Sequence, residues 1–372
     1  MLELVRNPDQ IDFAIAPRSD STPADQRRQL IADPGFGNVF TDHMVTIRWQ
    51  RDRGWHDAEV GARRPFSIDP ACSVLHYAQE IFEGMKAYRT ADGSIALFRP
   101  EQNARRFAQS AARMAMPELP EELFLTAVEA LVEIDQDWIP DGDGSLYLRP
   151  FMFSSETFLG VRPSNEYTFC VIASPAGAYF KGGAKPITLW VSDEYSRAAP
   201  GGTGAAKCGG NYAASLLAQA EAYQHECDQV VFLDAVEHRW VEELGGMNLF
   251  FVMDDISIVT PQLGGTILPG ITRSSIITLA RDCGITVEER RYSMAEWRKD
   301  AESGRMVEAF ACGTAAVVAG IGSVRSASFE FAIANGETGA LTKSIRDELS
   351  GMQRGEIPDR HGWLDKLPRQ LG

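Results

Sequence analysis

In the stretch GGTGAAKCGGNYAAS, Gly201 to Ser215, one of only seven lysines in the chain sits in a glycine-rich loop that leads into a helix. Three roles would suit a lysine there: a phosphate cradle, a covalent nucleophile, or a solvated side chain in a plain loop. A phosphate loop needs a glycine before its lysine, so that backbone N–H groups can wrap the anion. It also needs Ser or Thr after the lysine to hold magnesium. Ala206 and Cys208 occupy those two places, so the loop fails at both. A solvated lysine suits the small, apolar neighbours Ala205, Ala206 and Cys208 poorly. Asn211 reads as the N-cap of the helix YAASLLAQAEAYQ. Burial and a nearby positive helix end both favour the neutral amine, which is the form that makes a Schiff base.

A Schiff-base lysine suggests pyridoxal phosphate, an electron sink for a carbanion at a substrate's α carbon. That cofactor asks for an acid at its ring nitrogen, a partner for its phenolic oxygen and a phosphate site. In VEELGGMNLFF, Glu243 precedes two glycines, where a backbone can approach a flat ring; a solvated strand end is the alternative. In ILPGITRSSI a helix starts at Pro269-Gly270 and leaves the N–H groups of Ile271 and Thr272 for a phosphate, or is an ordinary helix start. Arg106, on the helix NARRFAQSA, would add a cation.

The elements that must carry these groups follow from length and pattern. At 372 residues the chain exceeds one ordinary hydrophobic core, so two domains are expected. Residues 1–35 are polar and proline-bearing and read as an arm with little regular structure. NVFTDHMVTIRW alternates as a strand, and YRTADGSIALFRP reads as a hairpin turning at Asp92-Gly93. Amphipathic helices are predicted over Glu101–Met114 and in PEELFLTAVEALVEI, and SLYLRPFMFSS and YTFCVIAS read as buried strands. Glycine and proline concentrate in PAGAYFKGG, giving domains at 1–174 and 187–372 with a linker at 175–186. Beyond it, ITLWVSDEYSR, QVVFLDAV, MNLFFVMDDISIVTP and EAFACGTAAVVAGIGSV read as strands, with helices starting near Asn211, Ile271, Ala295 and Ala340. Without strict alternation of strand and helix, the halves read as α+β.

Composition narrows the function. Hydrophobic residues at 44% and charged residues at 23% are those of a globular protein. A formal net charge of -15 argues against nucleic acid or an anionic membrane as the main partner. The six cysteines form no CxxC pair and the histidines no ligand spacing, so no metal site is expected. The first residues lack an apolar leader segment, and no run has membrane-spanning length, so the chain reads as cytoplasmic.

Taken together, FGNVFTDHM, LHYAQEIFEGMKAYR, LFRPEQNARRFAQSAARM, SLYLRPF, SPAGAYF, GGNYAAS, EELGGMNLFF, ILPGITR and FACGTAA resemble the fold-type IV pyridoxal-phosphate enzymes, and among them the branched-chain amino acid aminotransferases. The resemblance implies a D-amino acid aminotransferase-like α+β fold, with a small α/β domain and a larger β-rich one. It implies that Lys207 bonds the cofactor and shuttles the substrate proton, that Tyr212 meets the phenolic oxygen, and that Glu243 meets the ring nitrogen. The phosphate would be held by Arg106, Ile271, Thr272 and Thr314, with Arg197 near the ring. The substrate side chain would lie among Phe36, Tyr77, Phe82, Tyr147 and Tyr179, its α-carboxylate at Thr314 and Ala315, and the distal carboxylate of glutamate at Arg149. The implied reaction moves an amino group from Leu, Ile or Val to 2-oxoglutarate in a homodimer whose active site lies between the domains. Sister activities share the lysine and glutamate: D-amino acid or amine transamination and aminodeoxychorismate lysis. A catalytically silent cofactor-binding protein is a more distant alternative. Gly246 stands where many members have threonine, Cys312 where some have serine, and Ala316 and Ala319 replace a redox CxxC.

Overall fold

The computed structural model describes residues 11–177 and 185–368, so Tyr179 and most of the expected linker lie outside the described residues. The chain divides into two units, Met1–Ala178 with Gln353–Gly372, and Tyr179–Met352.

The first unit opens with β1 (Ala14–Ala16), α1 (Ala24–Ala32), β2 (His43–Gln50) and β3 (Gly54–Ala62). It continues with α2 (Val74–Tyr77), β4 (Glu80–Phe82), β5 (Met85–Arg89) and β6 (Ile95–Phe98). Helices α3 (Pro100–Arg113) and α4 (Glu121–Ile134) precede the long strands β7 (Ser145–Ser154) and β8 (Glu166–Ala176). The strands form one sheet in the order β1-β3-β2-β8-β7-β5-β6, with β4 on β7. Pro100 opens α3, where its fixed φ and missing N–H suit a first turn, and Pro120 is the N-cap of α4. Their apolar faces meet the sheet through Phe107, Phe124 and Phe169, three fully buried rings with centroids 5.4 to 6.0 Å apart. The β5–β6 hairpin turns where Asp92-Gly93 predicts, with Gly93 at φ +84° and Asp92 accepting from Thr90 and Ser94. On β7, Leu146, Leu148 and Met152 are fully buried, whereas Tyr147, Arg149 and Phe151 on the opposite face are half-buried.

Two expectations need correction. The arm at 1–35 contains structure: β1 pairs in parallel with β3, and α1 is a helix with no buried residue. It is held by long-range contacts that its own pattern cannot show. The Arg18 N–H donates to His43 Nε2 at 3.0 Å, and Thr22 donates to Asp42. The second unit also ends earlier than 372. Residues 364–367 form the strand at the far edge of the first sheet, antiparallel to β6 with Leu364 opposite Phe98. Trp363 packs edge-on against Phe98 beside it, so a short strand without a pattern of its own is fixed by a distant partner.

The second unit runs β9 (Ile187–Val191), α5 (Gly209–Ala213), α6 (Leu216–Gln224), β10 (Gln229–Leu233), β11 (Val241–Leu244), β12 (Asn248–Met253) and β13 (Ile258–Thr260). Then come α7 (Ile271–Asp282), β14 (Val287–Glu289), α8 (Met294–Glu302), β15 (Met306–Gly313), β16 (Val317–Arg325), β17 (Glu330–Ala332) and α9 (Ala340–Gln353). The strand at 364–367 is β18. The second sheet has the order β11-β10-β9-β16-β15-β12-β13-β14, with β17 on β16. Parallel and antiparallel pairs mix, which makes the chain a two-unit α+β protein. Its core gathers Phe251, Tyr292, Trp297 and Leu249, all buried. EAFACGTAAVVAGIGSV is a hairpin, turning at residues 314–316 between β15 and β16.

Arg106 and Glu83 form an ion pair buried inside the first unit. Arg106 Nε and Nη2 donate to the two oxygens of Glu83 at 2.7 and 2.8 Å, and Asn103 Nδ2 donates to Glu83 at 2.7 Å. Glu83 is fully buried and Arg106 is 6% exposed. Removing one partner of such a pair leaves an uncompensated charge. Glu83→Ala is expected to cost about 3–5 kcal/mol of stability, read as a lower urea-unfolding midpoint; an unchanged midpoint would refute the pairing.

Candidate active site

Lys207 lies between two buried residues, Ala206 and Cys208, at the mouth of α5. Its Nζ donates to the Tyr212 hydroxyl at 2.9 Å and sits 5.4 Å from the centre of that ring. Asn211 is not the N-cap; Cys208 holds that position, and Asn211 lies inside α5. Its amide instead donates to the carbonyls of Thr203 and Ala206 at 2.8 Å, and its Oδ1 accepts from Thr203 Oγ1 at 2.7 Å. The side chain thus clamps the lysine loop back onto the helix, a use of Asn that spacing alone does not separate from capping.

One glycine turn lies against Tyr212, and a second packs on that turn. Gly246, between β11 and β12, would place a Cβ 3.7 Å from Tyr212 Cε1. Gly313, at the end of β15, would place one 3.3 Å from Met247 Cγ and 3.4 Å from the Gly246 carbonyl. A Cβ at 246 would make ordinary contact with the ring, whereas one at 313 would press on the Met247 side chain. The turn after Gly313 carries the half-buried Thr314 and Ala315.

Glu243, next to last in β11, is 3% exposed and is held from several sides. Arg197 Nη2 donates to its Oε1 at 3.0 Å, the Leu268 N–H donates to the same oxygen at 2.8 Å, and Asn248 Nδ2 reaches Oε2 at 3.4 Å. Burial pushes Glu243 up to about 7, against the opposing pull of Arg197, the Leu268 N–H and Lys207. Arg197, expected near the ring, is therefore the partner of the carboxylate. Its remaining N–H groups donate to the carbonyls of Thr266 at 3.0 Å and Gly204 at 3.3 and 3.4 Å.

The segment 266–268 leads into α7, whose N-cap is Gly270, a residue with no side chain to occupy the first N–H groups of the helix. Asn248 joins this helix start to the acid: its Nδ2 donates to the Leu268 carbonyl at 3.1 Å, and a Cβ on Gly270 would fall 2.1 Å from its Oδ1. The amine, the tyrosine hydroxyl, the buried acid and the uncapped helix start belong to one connected set in the second unit. These groups match the functional groups of pyridoxal phosphate: an amine for its aldehyde, a hydroxyl for its phenolic oxygen, an acid for its ring nitrogen and N–H dipoles for its phosphate.

The remaining expected residues are in the first unit. Arg149 lies 4.8 Å over the Phe82 ring and 5.4 Å from the Tyr147 ring centre, and Nη2 donates to Tyr147 Oη at 3.0 Å. Phe36 packs edge-on against Tyr147 at 5.0 Å, and Gly84 leaves room for the Tyr147 hydroxyl, which a Cβ would approach to 2.2 Å. Four predicted residues thus form one cluster of three rings and a guanidinium. Tyr77 instead donates its hydroxyl to the Leu159 carbonyl at 2.6 Å. Sequence reasoning missed Asn248, although its polar side chain inside the apolar run GGMNLFF is a signal, and missed Thr266 and Leu268, which act partly through backbone atoms.

Because the folded-state value of Glu243 lies near 7 and its ordinary value is 4.5, the acid contributes stability that is complete below about 4.5 and lost as pH climbs through about 7. Urea unfolding of the cofactor-free protein should show the parent losing stability relative to Glu243→Gln across that window; parallel pH curves would refute the burial argument.

Comparison with known proteins supplies the family. The family model for amino-transferase class IV matches residues 80–324. A probable branched-chain-amino-acid aminotransferase of Streptomyces coelicolor is 57% identical over 353 residues, covering 94% of this chain and 96% of the relative. The branched-chain-amino-acid aminotransferase of Mycolicibacterium smegmatis is 54% identical over 366 residues, covering 97% of this chain and all of the relative. Among solved structures, the branched-chain amino acid aminotransferase of Escherichia coli matches with a TM-score of 0.70 at 29% identity, over 87% of this chain and 100% of that one. The branched-chain amino acid aminotransferase of Thermobaculum terrenum, solved in its PLP-bound holo form, matches with a TM-score of 0.67 at 25% identity, over 86% and 97%. A family match across both units, on a chain whose lysine, tyrosine and buried glutamate form one connected set, has one reading: the chain belongs to the class IV aminotransferases.

Proposed function

We propose that this protein is a pyridoxal-phosphate-dependent branched-chain-amino-acid aminotransferase that passes the amino group of L-Leu, L-Ile or L-Val to 2-oxoglutarate. The observation that carries the reading is the connected set Lys207–Tyr212 and Glu243–Arg197, in a chain 46–57% identical to relatives bearing that name. Bound pyridoxal phosphate supplies an aldehyde carbon and a ring that withdraws electrons from the substrate's α carbon.

The chain's own residues do the rest. Lys207 offers the amine that bonds the cofactor and, once released, takes the proton from the α carbon and returns it. The Tyr212 hydroxyl, already hydrogen-bonded to Nζ, orients that amine and meets the phenolic oxygen. Glu243 faces the ring nitrogen with a carboxylate whose charge Arg197 supports. Ile271, Thr272, Thr314 and Arg106 hold the phosphate. Thr314 and Ala315 receive the α-carboxylate. Phe36, Phe82 and Tyr147, with Tyr77 and Tyr179, receive the side chain, and Arg149 receives the distal carboxylate of glutamate. An arginine lying over two rings suits a surface that must take both an isobutyl group and a carboxylate. The enzyme works in the cytoplasm as a homodimer in which the partner helps close each site.

A panel of L-Leu, L-Ile, L-Val, D-Ala and aminodeoxychorismate, each offered to the cofactor-loaded protein with 2-oxoglutarate where an acceptor is needed, tests this function. Turnover of the three branched L-amino acids is expected, and its absence sinks the reading, while turnover of D-Ala or aminodeoxychorismate alone assigns a sister activity. Lys207→Ala should abolish the yellow absorbance of the loaded protein.

A further inference from the structure

Glu242 is the neighbour of Glu243 on β11, and successive residues of a strand point to opposite faces, so it stands behind the acid of the site. It is 8% exposed, and its Oε1 accepts from Thr266 Oγ1 at 2.5 Å. Among the described residues its Oε2 has no hydrogen-bond partner, and the residue lines a cavity of about 190 Å³ together with Asp234, Thr266 and Arg291. Burial pushes the Glu242 carboxyl upward, the Thr266 hydroxyl and the charges of Arg197 and Arg291 pull it down, and Asp234 raises it. A buried acid with an oxygen that lacks a partner is a poor source of stability, since that atom has lost its water without a replacement. Its place is better explained by what its one hydrogen bond holds.

That bond holds the segment 266–268. The same Thr266 that donates its hydroxyl to Glu242 accepts Arg197 Nη1 on its carbonyl at 3.0 Å. Two residues on, the Leu268 N–H donates to Glu243 at 2.8 Å, and the Leu268 carbonyl accepts from Asn248 at 3.1 Å. Gly204, from the lysine loop, fits against the strap only because it has no side chain; a Cβ there would fall 2.3 Å from the Thr266 carbonyl. The strap therefore touches both glutamates and the arginine, and runs on into the start of α7.

We propose that Glu242 is a positioning residue that latches the strap through Thr266 and so fixes Arg197 and Leu268 on Glu243. The latch needs an acceptor at position 242 and a hydroxyl at 266, and it needs no negative charge. The inference rests on the reading of Glu243 as the acid that faces the cofactor's ring nitrogen.

Five proteins test it: the parent, Glu242→Ala, Glu242→Gln, Thr266→Val and Thr266→Ser. Two measurements are made on each, the pyridoxal phosphate dissociation constant by absorbance titration and a crystal structure of the cofactor-free protein. Glu242→Ala and Thr266→Val should raise the dissociation constant about tenfold, the loss of one hydrogen bond among charged groups. Both should also open the Arg197–Glu243 contact beyond about 3.5 Å. Glu242→Gln keeps an acceptor and Thr266→Ser keeps the hydroxyl, so both should restore the parent values. A parent-like constant and an intact pair in Glu242→Ala overturn the latch, as does Glu242→Gln failing as badly as Glu242→Ala. If Glu242→Ala does not fold, the contrast between Thr266→Val and Thr266→Ser decides. A parent that takes up no pyridoxal phosphate would sink the reading of the site instead, and the crystal structures would then support or overturn the latch alone.

Discussion

A carboxylate and a guanidinium that are each 3% exposed must satisfy one another and then find partners for everything left over, and the pair Arg197–Glu243 does this by recruiting the lysine loop, the 266–268 strap and Asn248 of β12. The arginine spends its other N–H groups on carbonyls of the lysine loop and the 266–268 strap, and the glutamate takes an N–H from the same strap. Desolvation makes such a pair a weak source of net stability, so what it supplies is placement. The lysine loop cannot shift without stranding an arginine N–H, and the strap cannot shift without stranding both partners. The order of the site follows from the cost of leaving any of these groups unpaired.

The two units solve different chemical problems with different materials. In the second, backbone carbonyls and N–H groups of the lysine loop and the 266–268 strap do much of the holding. In the first, side chains dominate: three rings and the Arg149 guanidinium pack on one face of the sheet, while the opposite face of β7 is closed by apolar side chains. Strand alternation makes that possible, since Tyr147 and Arg149 can be functional while Leu146 and Leu148 build the core.

Much of this was legible in the sequence where the signal is local. Pro100 and Pro120 mark helix starts, Asp92-Gly93 marks a turn, and the glycines around Lys207 and after Glu243 mark close approaches. The residues of the site were legible as types in motifs, but their partners were not. Arg106 shows its cation in NARRFAQSA, yet Glu83, which grips it, lies in another motif, LHYAQEIFEGMKAYR, and nothing in either motif pairs the two. Asn211 looks like a cap because capping and loop clamping use the same short polar side chain. Thr266 carries no pattern, since half of its role is a carbonyl that every residue owns. The β1 and β18 strands were missed because three or four residues gain their identity from a partner far along the chain.

That last pairing has a consequence for how the molecule comes into being. The outer rung of the first sheet is β18, laid against β6 with Leu364 opposite Phe98, and the whole second unit is synthesised between the two. A nascent first unit therefore waits with the β6 edge uncovered until the second unit has been translated in full. An unpaired edge is a template for any passing strand, and closing so long a loop slows the search for the right one. The interval between translation of β6 and arrival of β18 is therefore a period in which this edge is open to mispairing with neighbouring chains on the same message.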